Sequence, residues 1–174
     1  TYRKQQLGGP TPDLQIAKHH LLQAAKLGYA FAQQRLATNY YQEAEFPASV
    51  DFPKDYKQAF YWASLATQNT DPRSAGNAHG LLAHLYERGH GVDANAEKSK
   101  YHFEEGVRLN CPYCQYYLAF RLLVHDSNFQ RDPERAFSLA KQSAGQGNVN
   151  GHYLLGSIYH KWMHPTTGKF GYRK

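Results

Sequence analysis

Four stretches of this chain carry one and the same helical pattern, and a chain built from such repeats buries its apolar faces by stacking them. They read AQQRLATNY (Ala32–Tyr40), AHGLLAHLY (Ala78–Tyr86), CQYYLAFRL (Cys114–Leu122) and GHYLLGSIY (Gly151–Tyr159). In each a small residue comes first, Leu follows four later, a second small residue comes at plus five, and Tyr or Leu at plus eight. Those offsets share one face of a helix with 3.6 residues per turn. The small residues let a neighbouring helix approach closely, and the Leu and Tyr side chains fill the space beside them.

A second pattern alternates with the first: AKHHLLQAAKLG (Ala17–Gly28), AFYWASLATQNT (Ala59–Thr70), SKYHFEEGVRLN (Ser99–Asn110) and AFSLAKQSAGQG (Ala136–Gly147). Gly28, Asn110 and Gly147 stand where a helix must end, because Gly and Asn tolerate a left-handed cap. After these three the first pattern resumes four residues later; after Thr70 it resumes eight later, with DPRS inserted. Turn and helix-start signals separate the paired helices: FPKD at 52–55, GHGVDAN at 89–95 and QRDPER at 130–135, the last with Pro133 suited to a first helical turn behind an Asp132 cap. The spacing predicts first-type helices near 30–43, 75–88, 112–125 and 149–162 and second-type helices near 13–27, 54–69, 95–109 and 132–145. The fold class is therefore all-α, a right-handed α-α superhelix of stacked hairpins forming one domain over 1–174. Residues 1–9 read as the end of a preceding unit and 163–174 as an irregular tail.

The run LLAHLYERGHGVDANAEKSKYHFEEG (81–106), followed in closeness by GNVNGHYLLGSIY (147–159), resembles the Sel-1-like repeat, a relative of the tetratricopeptide repeat. The resemblance spans roughly residues 8–162; it departs in the first unit, which has no Gly-x-Gly turn, and in the third, where HDSNFQRDP replaces it. It implies that first-type helices line the concave side of the array. It also implies an adaptor or scaffold, in bacteria often tied to secretion, envelope assembly, host contact or protection from a secreted toxin. A few relatives have been proposed to act as enzymes on cell-envelope or β-lactam substrates, which supplies a rival reading.

The tetrapeptide Cys111-Pro112-Tyr113-Cys114 spells the active site of glutaredoxin-like oxidoreductases, where a helix N-terminus following a β-strand activates the first thiol. Here the preceding segment has helical spacing, and Cys114 fills the slot occupied by Ala32, Ala78 and Gly151 in the other units. The expectation is a packing role for Cys114, an interhelix loop for Cys111, and a coincidence of spelling; a disulfide between the two remains the alternative. Some Sel-1-like families carry disulfides in every unit, a pattern that one cysteine pair does not reproduce.

Ten histidines invite a metal hypothesis, but His160 and His164 are cut off by Pro165, no HExxH is present, and His19-His20 straddles two helix faces. The letters HDS at 125–127 are sequence neighbours, not a catalytic triad in space, and no GxSxG, phosphate loop or dinucleotide fingerprint appears. Neither a catalytic residue nor a cofactor is implied. With Leu at plus four pointing into the stack, offsets of minus one, plus two, six, nine and ten should face the groove. They select Phe31, Gln34, Thr38 and Tyr41; Asn77, His84, Glu87 and Arg88; Tyr113, Tyr116, Phe120 and Leu123; and Asn150, Tyr153, His160 and Lys161. Tyr, Phe, His and Arg together are the side chains of binding surfaces, and Tyr116, Phe120 and Tyr153 are the expected anchors.

The charge of +6 is uneven: eight Lys/Arg face three Asp/Glu from Cys111 onward, against five and six over residues 71–110. Such an excess suits a protein or peptide partner with an acidic surface. Single-strand nucleic acid, which aromatic helical repeats can also stack, normally calls for denser basic clusters. No apolar run approaches the roughly 20 residues needed to cross a bilayer. No signal peptide follows Thr1, although a chain opening on Thr is expected to have lost residues. The compartment stays open, with the resemblance leaning toward a periplasmic or secreted setting over the cytoplasm.

Overall fold

The computed structural model describes residues 14–42, 52–124 and 128–161. Among them run eight helices: α1 (Leu14–Lys26), α2 (Ala30–Tyr41), α3 (Tyr56–Ala66), α4 (Pro72–Arg88), α5 (Ala96–Arg108), α6 (Pro112–Leu123), α7 (Pro133–Gly145) and α8 (Val149–Lys161). The expected partial unit at 1–9, the HDS letters at 125–127, the tail at 163–174 and His164 lie outside the described residues.

Local chemistry fixes the helix ends. The side chains of Asp55, Asp71, Asn95 and Asp132 each accept backbone N–H groups from the first turn of α3, α4, α5 and α7, satisfying donors with no intrahelical partner. Helix α4 starts at Pro72, ahead of the expected 75, because Asp71-Pro72 of the DPRS insertion is itself a cap and first turn. Three connections between hairpins turn on a left-handed residue, Gly28 (φ 89°), Asn110 (φ 60°) and Gly147 (φ 79°), which lets α2, α6 and α8 begin within a few residues.

Even-numbered helices pack against the odd-numbered helix that follows (α2–α3, α4–α5, α6–α7) and against the one that precedes. The even-numbered helices also touch one another along the row α2–α4–α6–α8, whereas the odd-numbered ones stand farther apart, with Arg135 of α7 reaching across to Glu104 of α5 at 3.0 Å. Units that converge on one side and part on the other form a curved stack, with the even-numbered helices on the inside. Two apolar clusters hold it together. Leu36, Tyr41, Phe52, Trp62, Leu81 and Leu85 fill the first, and Phe103, Leu118, Leu122, Phe129, Leu139 and Ile158 the second. Helix α4 is their common wall, giving Leu81 and Leu85 to one and Ala83 to the other. Among the described residues no helix is long and apolar enough to cross a membrane.

Candidate functional site: the inner row of helices

The inner helices are stitched together by polar and aromatic side chains. Between α2 and α4, Arg88 Nη1 donates to the Tyr41 hydroxyl at 3.0 Å. Between α4 and α6, His84 Nε2 lies 2.5 Å from the Tyr113 hydroxyl, Tyr117 donates its O–H to Glu87 Oε2 at 2.8 Å, and Arg121 Nη2 reaches Glu87 Oε1 at 2.6 Å. His84 Nδ1 completes the group at 3.4 Å from Glu87 Oε2. Burial alone would raise the Glu87 carboxyl, but hydrogen bonds from His84 and Tyr117 and the Arg121 charge outweigh it and hold the group ionised below its ordinary range. The same burial, and then the Glu87 charge, push the Tyr117 hydroxyl well up, so it stays a donor. Between α6 and α8, Tyr116 and Tyr153 are close enough for one phenol to raise the other's pKa, after burial.

A carboxylate, an imidazole and a phenol in line have the letters of an acid–base relay. The geometry gives them another task. His84 is 1% exposed, edge-on to Phe103 and Tyr117 and tilted against Tyr113, so no ligand reaches its ring. A half-buried carboxylate bonded by Tyr117 and Arg121 of α6 fixes the register of α6 on α4.

The residues selected by the offsets thus divide. Tyr41 and His84 do not line the groove: both lie inside the packing, as do Thr38 and Leu123. Thr38 satisfies its hydroxyl on the Gln34 carbonyl at 3.1 Å, and Gln34 Nε2 donates back at 3.0 Å. Phe31 (51% exposed), Phe120 (40%) and Tyr153 (78%) are open to solvent, with Arg88, Asn150, His160 and Lys161 also exposed. Gln34, Asn77, Glu87, Tyr113 and Tyr116 are half-buried. Tyr113 and Tyr116 are neighbours, ring centroids 6.3 Å apart.

Sequence reasoning missed two groups. One is Tyr117 with Arg121, whose offsets fall beside the chosen set. The other is a histidine pair on the α4–α5 side: His79 Nδ1 and His102 Nδ1 are 2.9 Å apart, and Tyr86 stacks on His102 at 5.5 Å and 9°. Burial pushes the His102 imidazole down to about 4, helped by His79 and Lys98 and opposed by Glu105. Burial also lowers His79, with Glu105 opposing and Arg108 adding to it. A His at plus one of the first pattern (His79) and plus three of the second (His102) was the available signal. Both cysteines are unlinked thiols, and among the described residues no group of three or more His, Cys, Asp or Glu side chains could hold a metal ion.

Comparison with known proteins places the array. The Sel1 repeat model matches residues 2–29, 30–71, 77–111 and 112–148, each complete match pairing an inner helix with the outer helix that follows. A solved Sel1 repeat protein from Oxalobacter formigenes is 26% identical with a TM-score of 0.69, covering 84% of this chain and 40% of that one. A protective antigen present in uropathogenic Escherichia coli strains, displaying an SLR fold, is 27% identical with a TM-score of 0.68, covering 86% and 30%. An uncharacterized protein of Neisseria meningitidis serogroup B is 28% identical over 155 residues. The match takes in 84% of this chain and 28% of that relative's length. Sel1 repeat proteins generally mediate protein–protein interaction. The repeat matches extend over far more than half of the sequence, and the chain belongs to the Sel1 repeat family.

Proposed function

We propose that this chain is a protein- or peptide-binding adaptor whose inner helix row is the recognition surface, with Phe31, Tyr116, Phe120 and Tyr153 as its apolar anchors. The observation that carries this reading is exposure of rings on the helices that pack against one another. Phe120 and Tyr153 are open to solvent although α6 and α8 are held in place by the buried core beneath them. An aromatic ring on a rigid helix offers contact area at little cost in conformational entropy. Arg88, His160 and Lys161 among these rings favour a partner with an acidic surface. The bacterial relatives are compatible with a role in envelope assembly, secretion or immunity to a secreted toxin.

The test is partner capture from the source cell's lysate with the wild type and a Tyr116→Ala/Tyr153→Ala double variant of equal helicity. One protein retained by the wild type and lost by the variant supports the reading. Equal retention by both would put the site on another face. Recovery of nucleic acid alone, released steeply by salt, would replace the protein partner with a single strand.

A further inference from the structure

We propose that Cys111 and Cys114 form a redox-active dithiol that exchanges with small peptide disulfides of the glutathione class, Cys111 being the attacking sulfur. The sequence argued against redox chemistry because no strand precedes the motif. The chemistry requires the helix N-terminus rather than the strand, and the fold provides it. Cys111 is the N-cap of α6, its backbone extended (φ −70°, ψ 116°), and the Cys114 backbone N–H donates to Cys111 Sγ at 3.3 Å. A thiolate there gains a backbone hydrogen bond and the positive end of the helix. In the thiol form Cys111 Sγ donates to Asn77 Oδ1 at 3.5 Å, a contact the thiolate gives up.

Two further observations point the same way. Three glycines clear the space around the pair: a Cβ on Gly76 would press on Cys111 Cβ, one on Gly80 would press on Cys114 Sγ, and one on Gly106 would overlap that sulfur outright. Beside Cys111 opens a cavity of about 690 Å³, the size of a small-ligand site. Asp71, Arg73, Asn77, Asn110, Pro112 and Gln146 line it, the Asp71 carboxylate being engaged by the Ser74 N–H as the cap of α4. Its amide wall is fixed, since Gln115 Nε2 donates to Asn110 Oδ1 at 2.8 Å and Gln146 Nε2 to Gln115 Oε1 at 2.8 Å. Side-chain amides suit peptide groups, and Arg73 suits a carboxylate. Cys111 is 4% exposed, so a folded protein's disulfide could not approach it, whereas a small disulfide within the cavity could.

The two thiols are tuned apart. The hydrogen bond with Cys114, then the backbone N–H groups of Cys114 and Tyr113, lower Cys111 against the opposing effect of burial. Burial, with the hydrogen bond and charge of Cys111, pushes Cys114 well up. The Cys111 thiolate attacks one sulfur of R–S–S–R, and an R–S⁻ leaves a mixed disulfide. Cys114 gives its proton to that thiolate and attacks the Cys111 sulfur, releasing the second R–S⁻, which takes its proton from water. The dithiol loses two electrons and the peptide disulfide gains them.

The experiment begins with the reduced native chain, alkylated by iodoacetamide and mapped by mass spectrometry. Cys111 should react at least about tenfold faster than Cys114. Oxidised glutathione should convert the wild type to a form lacking two hydrogens, with the link between Cys111 and Cys114. In Cys114→Ser the reaction should stop at a glutathione adduct on Cys111. Arg73→Ala should slow the reaction with oxidised glutathione and leave that with uncharged hydroxyethyl disulfide unchanged. Equal or slower alkylation of Cys111, or a wild type that stays dithiol in oxidised glutathione, would overturn the proposal without relying on any variant. An Arg73→Ala variant that slows neither probe would overturn the peptide-disulfide class.

Discussion

Acid should loosen the α4–α5 hairpin before it touches the carboxylates. His79 and His102 meet through their Nδ1 atoms at 2.9 Å, an arrangement with room for a single proton between them. That contact admits one cationic ring at most, and burial of both rings favours the neutral pair. The ordinary imidazole value of 6.5 applies to the unfolded chain, and burial takes His102 to about 4 in the folded one. A folded-state pKa below the unfolded one means stability is fully present above 6.5 and is lost as pH falls toward 4, since the unfolded chain takes up a proton the folded chain refuses. The difference in proton affinity is worth about 3 kcal/mol, and water on the open side of the site leaves about 2 kcal/mol at a pH near 4.5. Glu105 on α5 pulls against the shift of both rings, while on the same helix Lys98 adds to it at His102 and Arg108 at His79. Glu87 and Glu105 are both held below the 4.5 of a free glutamate, so their loss falls below that value and out of the window. Urea unfolding followed by circular dichroism, at steps from about pH 7 to pH 4.5, measures the decline. His102→Asn keeps a side-chain amide at the Nδ1 position and cannot titrate, so its stability should fall less steeply over that range, with His79 alone left to take up a proton. Parallel curves for the two chains, or a flat wild type, would refute the neutral-pair argument.

Three other perturbations have defined outcomes. Gly106→Ala adds helix propensity of about 1 kcal/mol but forces a methyl into Cys114 Sγ and Cβ; overpacking should win, with a net loss of about 1–2 kcal/mol in urea unfolding. Glu87→Ala removes the acceptor shared by Tyr117 and Arg121 and should cost about 3 kcal/mol, read by the same assay. Tyr153→Ala alters a ring that is 78% exposed, so the unfolding midpoint should move by less than about 0.5 kcal/mol while retention of the captured partner falls.

The helices were legible in the sequence because the small-Leu-small-Tyr spacing is set by how closely helices pack, which leaves little freedom at Ala78, Leu82 and Ala83. Which side chains face outward was less so. Offsets assume that every inner helix sits at the same rotation and that polar residues face solvent. His84 breaks the second assumption, because the Tyr113 hydroxyl from the following hairpin meets its Nε2 while the rings of Phe103 and Tyr117 enclose it, and together they make a core position of it. Tyr41 does the same by handing its hydroxyl to Arg88, 47 residues on. Such pairings join different hairpins and have no local spacing to betray them. Cys111 lies in the short link between α5 and α6, as expected, and its capping role is legible too: the Pro after it marks a first helical turn, as it does after Asp71 and Asp132, and the residue before such a Pro is the cap.

Inner helices pack closely, whereas outer ones stand apart and meet through long side chains such as Arg135 on Glu104, and this sets how the array can yield. Force along the stack meets bonded, tightly seated side chains on one edge and, on the other, a looser row crossed by the partly exposed Arg135–Glu104 pair. The compliant motion is therefore a fanning of α3, α5 and α7 about the inner edge, like leaves opening from a spine. Partners of different girth could be gripped by changing that spread while the ring-bearing edge keeps its spacing.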